Sequence, residues 1–401
     1  MKIIADSVTA PHGFLAQGVE AVIKKENKKD VGVIYSLEPC IASGLFTTNR
    51  VRAACVDIDR QHLEDGAAQA IVANSGNANA CTGQQGWDDT LAMARLAGEL
   101  LNISPQDVLI GSTGVIGVNM PMERIKRGIC EAVAGLSRDG GHNVAEAIMT
   151  TDLVSKEIAV ELEIQGKPVR IGAIAKGSGM IHPNMATMLC FVTTDAAISR
   201  ECLDKMLKTS TERSFNMISV DRDTSTNDMI LMLANGLAGN RRIIDCHGDD
   251  YRIMQAALDY VNISLAKMIA RDGEGATRLI EVEVVNADTY ENARIIARSI
   301  TASNLTKAAV FGEDANWGRI LAAAGYSGVD FDPNRVDIYL GAEKMAENVA
   351  GLPFDEERAR EELRKDPVAI KVDLHAGKCQ ATAWGCDLTY DYVRINAAYR
   401  T

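Results

Sequence analysis

The chain has 401 residues, of which 47% are hydrophobic and 24% are charged, so it is long enough to bury a sizeable core. Lysine and arginine total 42 against 54 acidic residues, which gives a formal net charge of −12. Because no run of basic residues interleaves with aromatic ones, nucleic acid and anionic membranes are poor candidates for partners.

The composition also argues against a secreted or metal-binding protein. The first residues, MKIIADSVTAPHG, are too weakly apolar for a signal peptide, and no window approaches about 18 uninterrupted apolar residues. Nine cysteines are scattered without C-x-x-C spacing, as expected of reduced thiols. Six dispersed histidines show no pair at metal-ligand spacing, so we expect a cytoplasmic protein without a metal site.

The first third of the chain is predicted to be rich in strands. Residues 14–75 contain four short runs with strand character, VEAVIKK, VGVIYSLE, AACVDID and AQAIVANSG. Residues 74–80 are too rich in turn-forming side chains for a strand, and we interpret them as a polar hairpin turn. A helix is predicted over residues 88–102.

A glycine-rich segment at residues 111–117 follows a short predicted strand at residues 108–110 and precedes a helix that begins near Pro121. The segment has no lysine at the P-loop position, and its glycines miss the dinucleotide spacing. Stabilisation of an oxyanion and a plain tight turn both remain open for it.

The central part of the chain leads into one unusual junction. Strands at residues 157–164 and 169–175 are predicted to form a hairpin. The second strand runs into KGSGMIHPNMATMLCFVTTD, residues 176–195, which combines a glycine-rich bend, a proline-stiffened loop and a buried strand that begins at Thr187. The bond between Ala186 and Thr187 is either part of an ordinary loop or a strained bond.

The rest of the chain alternates helices and strands. The segment DRDTSTND imitates a calcium loop, but Thr226 and Met232 stand where glycine and glutamate are required, so we interpret it as a hydrogen-bonded turn. A helix is predicted over residues 251–269, after which Glu274 lies between two glycines, as turn filler or as a functional carboxylate. The terminal segment DYVRINAAYRT is predicted to be docked.

The chemistry that these residues allow centres on Thr187. The ordinary motifs of serine and cysteine hydrolases are absent. A threonine hydroxyl needs a base, and His182 is the nearest candidate along the chain. Cleavage before Thr187 would create an α-amine with a pKa of about 7.7 to 8.0, so one residue would supply both nucleophile and base.

Seven colinear segments resemble the ornithine acetyltransferase (glutamate N-acetyltransferase) family of arginine biosynthesis. They span nearly the whole chain and read IVANSGNANACTG, STGVIG, GMIHPNMATML, DTSTND, DGEGATR, FGEDANWGRI and YVRINAAYRT. Arg222 is one departure, since family members commonly carry glycine at this position. The resemblance implies an α/β fold of stacked β-sheets covered by helices, similar to the N-terminal-nucleophile hydrolases but differently connected.

The resemblance also implies the site. Thr187 is implied to be the nucleophile, exposed by self-cleavage after Ala186, which gives an α chain of residues 1–186 and a β chain of residues 187–401, intertwined in one folded unit. Thr113 and Gly114 match the oxyanion hole. The positions that match substrate contacts, together with Thr187, are Thr150, Lys176, Glu274, Asn396 and Thr401.

The implied activity is acetyl transfer from N2-acetylornithine to glutamate through an acetyl-threonine, without a cofactor. Acetyl-CoA as a second donor is left open, and so is a rival in which water accepts the acyl group, as in an aminopeptidase or amidase. A scaffolding protein that has kept the fold is the non-enzyme alternative. The implied assembly is a heterotetramer of two α and two β chains.

Overall fold

The structure is a computed structural model that describes residues 1–24, 27–182 and 188–398. Its strands, within these ranges, are β1 (Lys2–Ile4), β2 (Phe14–Val19), β3 (Val31–Phe46), β4 (Ala67–Asn77), β5 (Val108–Val115), β6 (Lys156–Ile164), β7 (Lys167–Lys176), β8 (Leu189–Thr194), β9 (Ile218–Ser219), β10 (Met229–Ala234), β11 (Leu279–Ala287), β12 (Asp337–Leu340), β13 (Glu343–Glu347), β14 (Ala350–Gly351), β15 (Val368–Asp373) and β16 (Cys379–Cys386).

The helices alternate with these strands. In the same ranges they are α1 (Ala54–His62), α2 (Gly83–Leu101), α3 (Met122–Ala134), α4 (Gly141–Ala147), α5 (Arg200–Arg213), α6 (Asp249–Arg271), α7 (Tyr290–Ala302), α8 (Asn304–Phe311), α9 (Trp317–Gly325), α10 (Glu356–Leu363) and α11 (Tyr390–Ala397). The predicted α/β class is confirmed.

The chain divides into two compact units that interleave along the sequence. The described residues of unit 1 are 1–24, 27–177, 188–216 and 224–265. Those of unit 2 are 178–182, 217–223 and 266–398. Each unit therefore contains residues from before and after the predicted cleavage site. The division into an α and a β chain stays a prediction.

Unit 1 is built on a mixed sheet with nine strands among its described residues, in the order β1-β6-β7-β8-β10-β3-β4-β5, with β2 also paired to β3. The pairs β8–β10 and β4–β5 are parallel, and the others are antiparallel. Helices α1 to α4 contact β2, β3 and β5, and they bury aliphatic side chains such as Val33, Ile71 and Leu109. This burial supplies the main stabilising free energy of the unit.

Unit 2 has its own sheet, with seven strands among the described residues, in the order β14-β13-β12-β15-β11-β16-β9. Helix α7 packs on β11 and β16 through its buried face, which includes Ala293, Ile296 and Ile300. The 3.6-residue period of an amphipathic helix explains this spacing. In the described ranges of both units, no helix is long and apolar enough to cross a membrane.

Two strand predictions in the first third are wrong. AACVDID lies mostly in helix α1, where Cys55, Ile58, Asp59 and His62 are buried. Their spacing of three and four residues is the helical period. This period is a stronger indication of secondary structure here than the β-branched residues that suggested a strand. The other error is VEAVIKK, because β2 ends at Val19 and the residues that follow, as far as they are described, form a loop.

The strands extend into most of the polar segment at residues 74–80, which was interpreted as a hairpin turn, and of the glycine-rich segment at residues 111–117. Strand β4 runs on to Asn77, and β5 runs on to Val115, so both polar segments pair with each other in parallel. The side chain of Asn227 explains how the polar backbone is tolerated there, since its Nδ2 donates to the carbonyl oxygens of Ala78 at 2.6 Å and Ser112 at 2.8 Å. Buried polar groups are stable when they are hydrogen-bonded in this way.

Candidate active site

Strands β7 and β8 bring the chain on both sides of the predicted cut side by side. Lys176 ends β7 and pairs with Leu189, the first residue of β8. The connection between them contains Ala186 and Thr187, which lie outside the described residues. The predicted nucleophile is therefore two residues away in sequence from a position directly opposite Lys176.

A buried cluster of charges surrounds the end of β7. The Asp152 carboxylate lies 2.7 Å from the Lys156 ammonium and 3.9 Å from the Lys176 ammonium, and it also accepts from the backbone N–H of Gly177 at 2.7 Å. Burial would raise the pKa of Asp152, but the two ammonium groups hold it well below its ordinary value. Since Lys156 is the closer partner of Asp152, Lys176 is the cation better placed to attract a further anion.

Thr150 lies beside this cluster, after the end of α4. Its backbone N–H donates to Asp152 Oδ2 at 3.0 Å. Thr150 and Asp152 both line a cavity of about 580 Å³, and Lys24 lines the same cavity from the loop that follows β2. Two of the predicted site residues of unit 1, Thr150 and Lys176, thus converge on one carboxylate.

Thr113 and Gly114 lie near the end of β5, opposite Ser75 and Gly76 of β4. The backbone of Gly114 has a φ of +133°, and a Cβ added to it would lie 2.3 Å from the carbonyl carbon of Gly76. Only glycine fits this close approach of two backbones. The partly exposed pair at the end of β5 is compatible with an oxyanion hole, a role that remains a prediction.

Among the ionisable residues of unit 1, sequence reasoning missed Asp152, Lys156 and Asp228. Asp228 precedes β10 and is 3% exposed, and its Oδ2 has no hydrogen-bond partner among the described residues. Burial raises the pKa of Asp228, against the lowering influence of Lys176. Asp228 stands in the DTSTND motif, and Asp152 directly follows Thr150 and Thr151, so motif membership was the available signal for both.

In unit 2 the predicted substrate residue Glu274 is held between two segments. Its backbone N–H donates to the Ser178 carbonyl oxygen at 3.1 Å, and its Oε2 accepts from Asn396 Nδ2 at 2.8 Å. A Cβ added to Gly179 would lie 2.4 Å from the Glu274 carboxyl, so any larger residue there would displace this carboxylate. Two more predicted residues, Glu274 and Asn396, are thus in contact, whereas Thr401 lies outside the described residues.

His182, the nearest histidine upstream of Thr187, is a poor base. Its Nδ1 is 2.9 Å from the Ser219 hydroxyl. Burial and then the positive charges of Arg298 and Arg222 lower the pKa of His182 to about 4. Because a catalytic base works best with a pKa near the operating pH, His182 is unsuited to the task at neutral pH.

Comparison with known proteins identifies the family. A sequence model of the ArgJ family matches residues 15–401. The chain belongs to the ArgJ family. Over 403 residues it is 59% identical to the arginine biosynthesis bifunctional protein ArgJ of Symbiobacterium thermophilum, with 100% of both chains covered. The ArgJ protein of Caldanaerobacter subterraneus subsp. tengcongensis is 52% identical over 405 residues, again with 100% of both chains covered.

A crystal structure of ArgJ from Bacillus halodurans is similar to part of the chain, with a TM-score of 0.51 and 48% sequence identity. The match covers 52% of this chain and 98% of the other. Membership of the ArgJ family confirms the resemblance deduced from the seven segments, and with it the prediction of an acyltransferase of arginine biosynthesis. The described residues contain no group of three or more His, Cys, Asp or Glu that could hold a metal ion.

Proposed function

We propose that this ArgJ family member is a glutamate N-acetyltransferase that moves the acetyl group of N2-acetylornithine to glutamate. The observation that carries the proposal is the Lys176–Asp152 cluster, which lies where the chain enters the connection that contains Thr187. An acetylated amino acid has a carboxylate that suits such a cation. Glu274, held by Asn396, is the group that we assign to the ammonium of ornithine.

The proposed reaction has two halves. The Thr187 hydroxyl attacks the acetyl carbonyl carbon while its proton passes to the α-amine of the same residue. Collapse of the tetrahedral intermediate breaks the amide bond, and the proton goes to the departing ornithine amine. The α-amine of glutamate then attacks the acetyl-threonine ester, and N-acetylglutamate leaves as the hydroxyl is restored. Thr113 and Gly114 are assigned to the oxyanion, where loss of one donor typically costs about 100- to 1,000-fold in kcat.

The nucleophile becomes complete only after cleavage between Ala186 and Thr187. The Bacillus halodurans chain supports this proposal, because 98% of its length is matched by only 52% of the present chain. A fragment of residues 187–401 is likewise slightly more than half of the whole. The depressed pKa of His182 is further support, since the α-amine is then the better base.

Further parts of the proposal concern the setting of the reaction. We infer a cytoplasmic assembly of two α and two β chains that needs no cofactor. The word bifunctional in the names of the relatives supports acetyl-CoA as a second donor. An assay of glutamate acetylation with acetyl-CoA alone tests that donor.

The central test is the variant Thr187→Ala in the full-length chain. We expect intact-mass spectrometry to find one uncut chain of 43.2 kDa and the transfer assay to find no N-acetylglutamate. Thr187→Ser is the matched control, which keeps a hydroxyl and should still be cut. Two fragments or acetyl transfer from the alanine variant would contradict the mechanism, and wild-type release of free acetate regardless of glutamate would indicate an amidase.

A further inference from the structure

The cavity beside Thr150 has a second cation in addition to the cluster at the end of β7. The cavity has a volume of about 580 Å³, large enough for an amino-acid side chain. It is lined within unit 1 by polar and charged residues on the loop after β2, on α4 and on the segment after α4. Those that matter here are Glu20, Lys24, Lys28, Glu146, Thr150 and Asp152.

The loop after β2 is folded around a buried carboxylate that fixes the position of Lys24. Asp30 accepts hydrogen bonds from the backbone N–H groups of Ala21 at 2.6 Å, Ile23 at 2.6 Å and Lys24 at 3.0 Å. The Lys24 ammonium in turn donates to the Met149 carbonyl oxygen at 3.0 Å. Lys24 is therefore held at the residue that directly precedes Thr150.

The carboxylates of the cavity wall already have partners. Glu20 accepts from the backbone N–H of Asn27 at 2.7 Å, and Glu146 forms a salt bridge with Lys29 at 2.5 Å. Asp152 has the buried lysines at the start of β6 and the end of β7. The lysine partners offset the charges of Glu146 and Asp152, whereas Glu20 stays negative, so one carboxylate charge faces the two further ammonium groups of Lys24 and Lys28.

Lys24 and Lys28 provide an excess of positive charge. Neither ammonium forms a salt bridge with a carboxylate in the described part of the chain. Burial lowers the pKa of Lys24 to about 8, against the opposing influence of Asp30, and the ammonium groups of Lys28 and Lys176 lower it further. A half-buried cation such as Lys24, without a carboxylate within salt-bridge distance, gains from a bound anion.

We propose that this cavity is a subsite for an anionic group of the second substrate, and that Lys24 binds the side-chain carboxylate of the acceptor glutamate. The inference rests on the proposed function. N2-acetylornithine and glutamate share an α-carboxylate, but only glutamate has a second one on its side chain. Lys24 is thus the residue that distinguishes the acceptor from the donor, through a charge-assisted hydrogen bond that only glutamate forms.

The test compares the two half-reactions in Lys24→Met, which keeps the apolar stem and removes the charge. We expect the KM for glutamate to rise by about 10- to 100-fold, the range for loss of a hydrogen bond to a charged group. The KM for N2-acetylornithine and the single-turnover release of ornithine should stay within about twofold. Lys24→Arg should keep most of the affinity for glutamate, and Lys126→Met, at an exposed lysine on α3, is the matched control.

A second experiment distinguishes two anions that Lys24 could bind. A phosphate of acetyl-CoA has chemistry similar to that of the glutamate side-chain carboxylate. The KM for acetyl-CoA is measured at saturating glutamate, and the preference for glutamate over glutamine is measured with N2-acetylornithine as donor. A loss of this preference in Lys24→Met supports the assignment. An unchanged KM for glutamate, or an increase confined to acetyl-CoA, overturns it. If the wild-type protein transfers no acetyl group from N2-acetylornithine, the proposed function itself has failed, which is a separate outcome.

Discussion

Replacement of Gly179 by alanine should displace the Glu274 carboxylate without unfolding the protein. A Cβ at residue 179 would lie 2.4 Å from Cδ, Oε1 and Oε2 of Glu274, whereas ordinary van der Waals contacts begin at about 3.4 Å. The carboxylate must therefore withdraw by about 1 Å. Because it is the end of a flexible side chain, the cost in stability should be only about 1 kcal/mol.

The cost to function should be larger than the cost to stability. Glu274 Oε2 accepts from Asn396 Nδ2 at 2.8 Å, and a shift of about 1 Å would take this contact beyond normal hydrogen-bonding distance. A misplacement of about 1 Å in a binding group can cost about 100-fold in rate. For Gly179→Ala we expect a loss of about 30- to 100-fold in kcat/KM for N2-acetylornithine.

The assay is steady-state transfer from N2-acetylornithine to glutamate, with thermal unfolding measured in parallel. Gly325→Ala is the control, since a Cβ at that position would meet no atom within 4 Å. Glu274→Asp shortens the side chain, so adding Gly179→Ala to it should cost much less than Gly179→Ala alone. A Gly179→Ala protein with wild-type kcat/KM, or additive losses in the double variant, would refute the reasoning.

Substitutions at three further positions test other parts of the structure. Arg222 has a φ of +71°, so Arg222→Gly should stabilise by about 1 kcal/mol in urea unfolding while Arg222→Ala should not; an equal gain from both would contradict this. Lys156→Met removes the close partner of the buried Asp152 and should cost about 3 to 5 kcal/mol, unlike loss of an exposed lysine. Because the folded-state pKa of Asp152 is depressed, its stabilising contribution is present above its ordinary pKa of 3.8 and is lost as pH falls. Lys156→Met raises that folded-state pKa, so acid unfolding should begin at a higher pH than in the wild type, and an unchanged onset would count against the pair. Gly114→Ala forces a Cβ to within 2.3 Å of Gly76 and should lower both kcat and the melting temperature; retention of both would exclude the close approach.

The sequence predicted the elements whose pattern is local. The hairpin of β6 and β7 follows from strict alternation and from the Gln165–Gly166 turn, in which both residues have positive φ. Helices α2, α3 and α6 follow from apolar residues at helical spacing. These signals need no knowledge of distant residues, which is why they were sufficient.

The errors arose where distant residues decide the local structure. Asn74 and Asn77 looked like turn formers, but Ser112 donates to Asn74 Oδ1 at 2.7 Å, and Asn77 Nδ2 donates to the Val118 and Asn119 carbonyl oxygens at 3.0 and 3.1 Å. With these partners the polar side chains can be buried in a strand. Nothing within the short segment itself indicates that such partners exist.

The candidate site was predicted through motifs more than through physical pattern. Glu274 and Asn396 are 122 residues apart in sequence, and neither has a local signal for their contact. Lys24 was missed because it belongs to none of the seven segments and lies in a run that resembled a strand. The tertiary fold alone brings Lys24 to the Met149 carbonyl oxygen.

The topology of unit 1 explains why a cut after Ala186 would not separate the two fragments. Strand β7 precedes the cut and pairs with β8, which follows it, over six residue pairs from Ile171↔Thr194 to Lys176↔Leu189. Strands β8 and β10 would come from the second fragment, yet they lie between β7 and β3, which belong to the first. Separation would break the β7–β8 and β3–β10 hydrogen bonds and would expose the fully buried side chains of β8 and β10. The cleaved protein should therefore unfold cooperatively as one assembly.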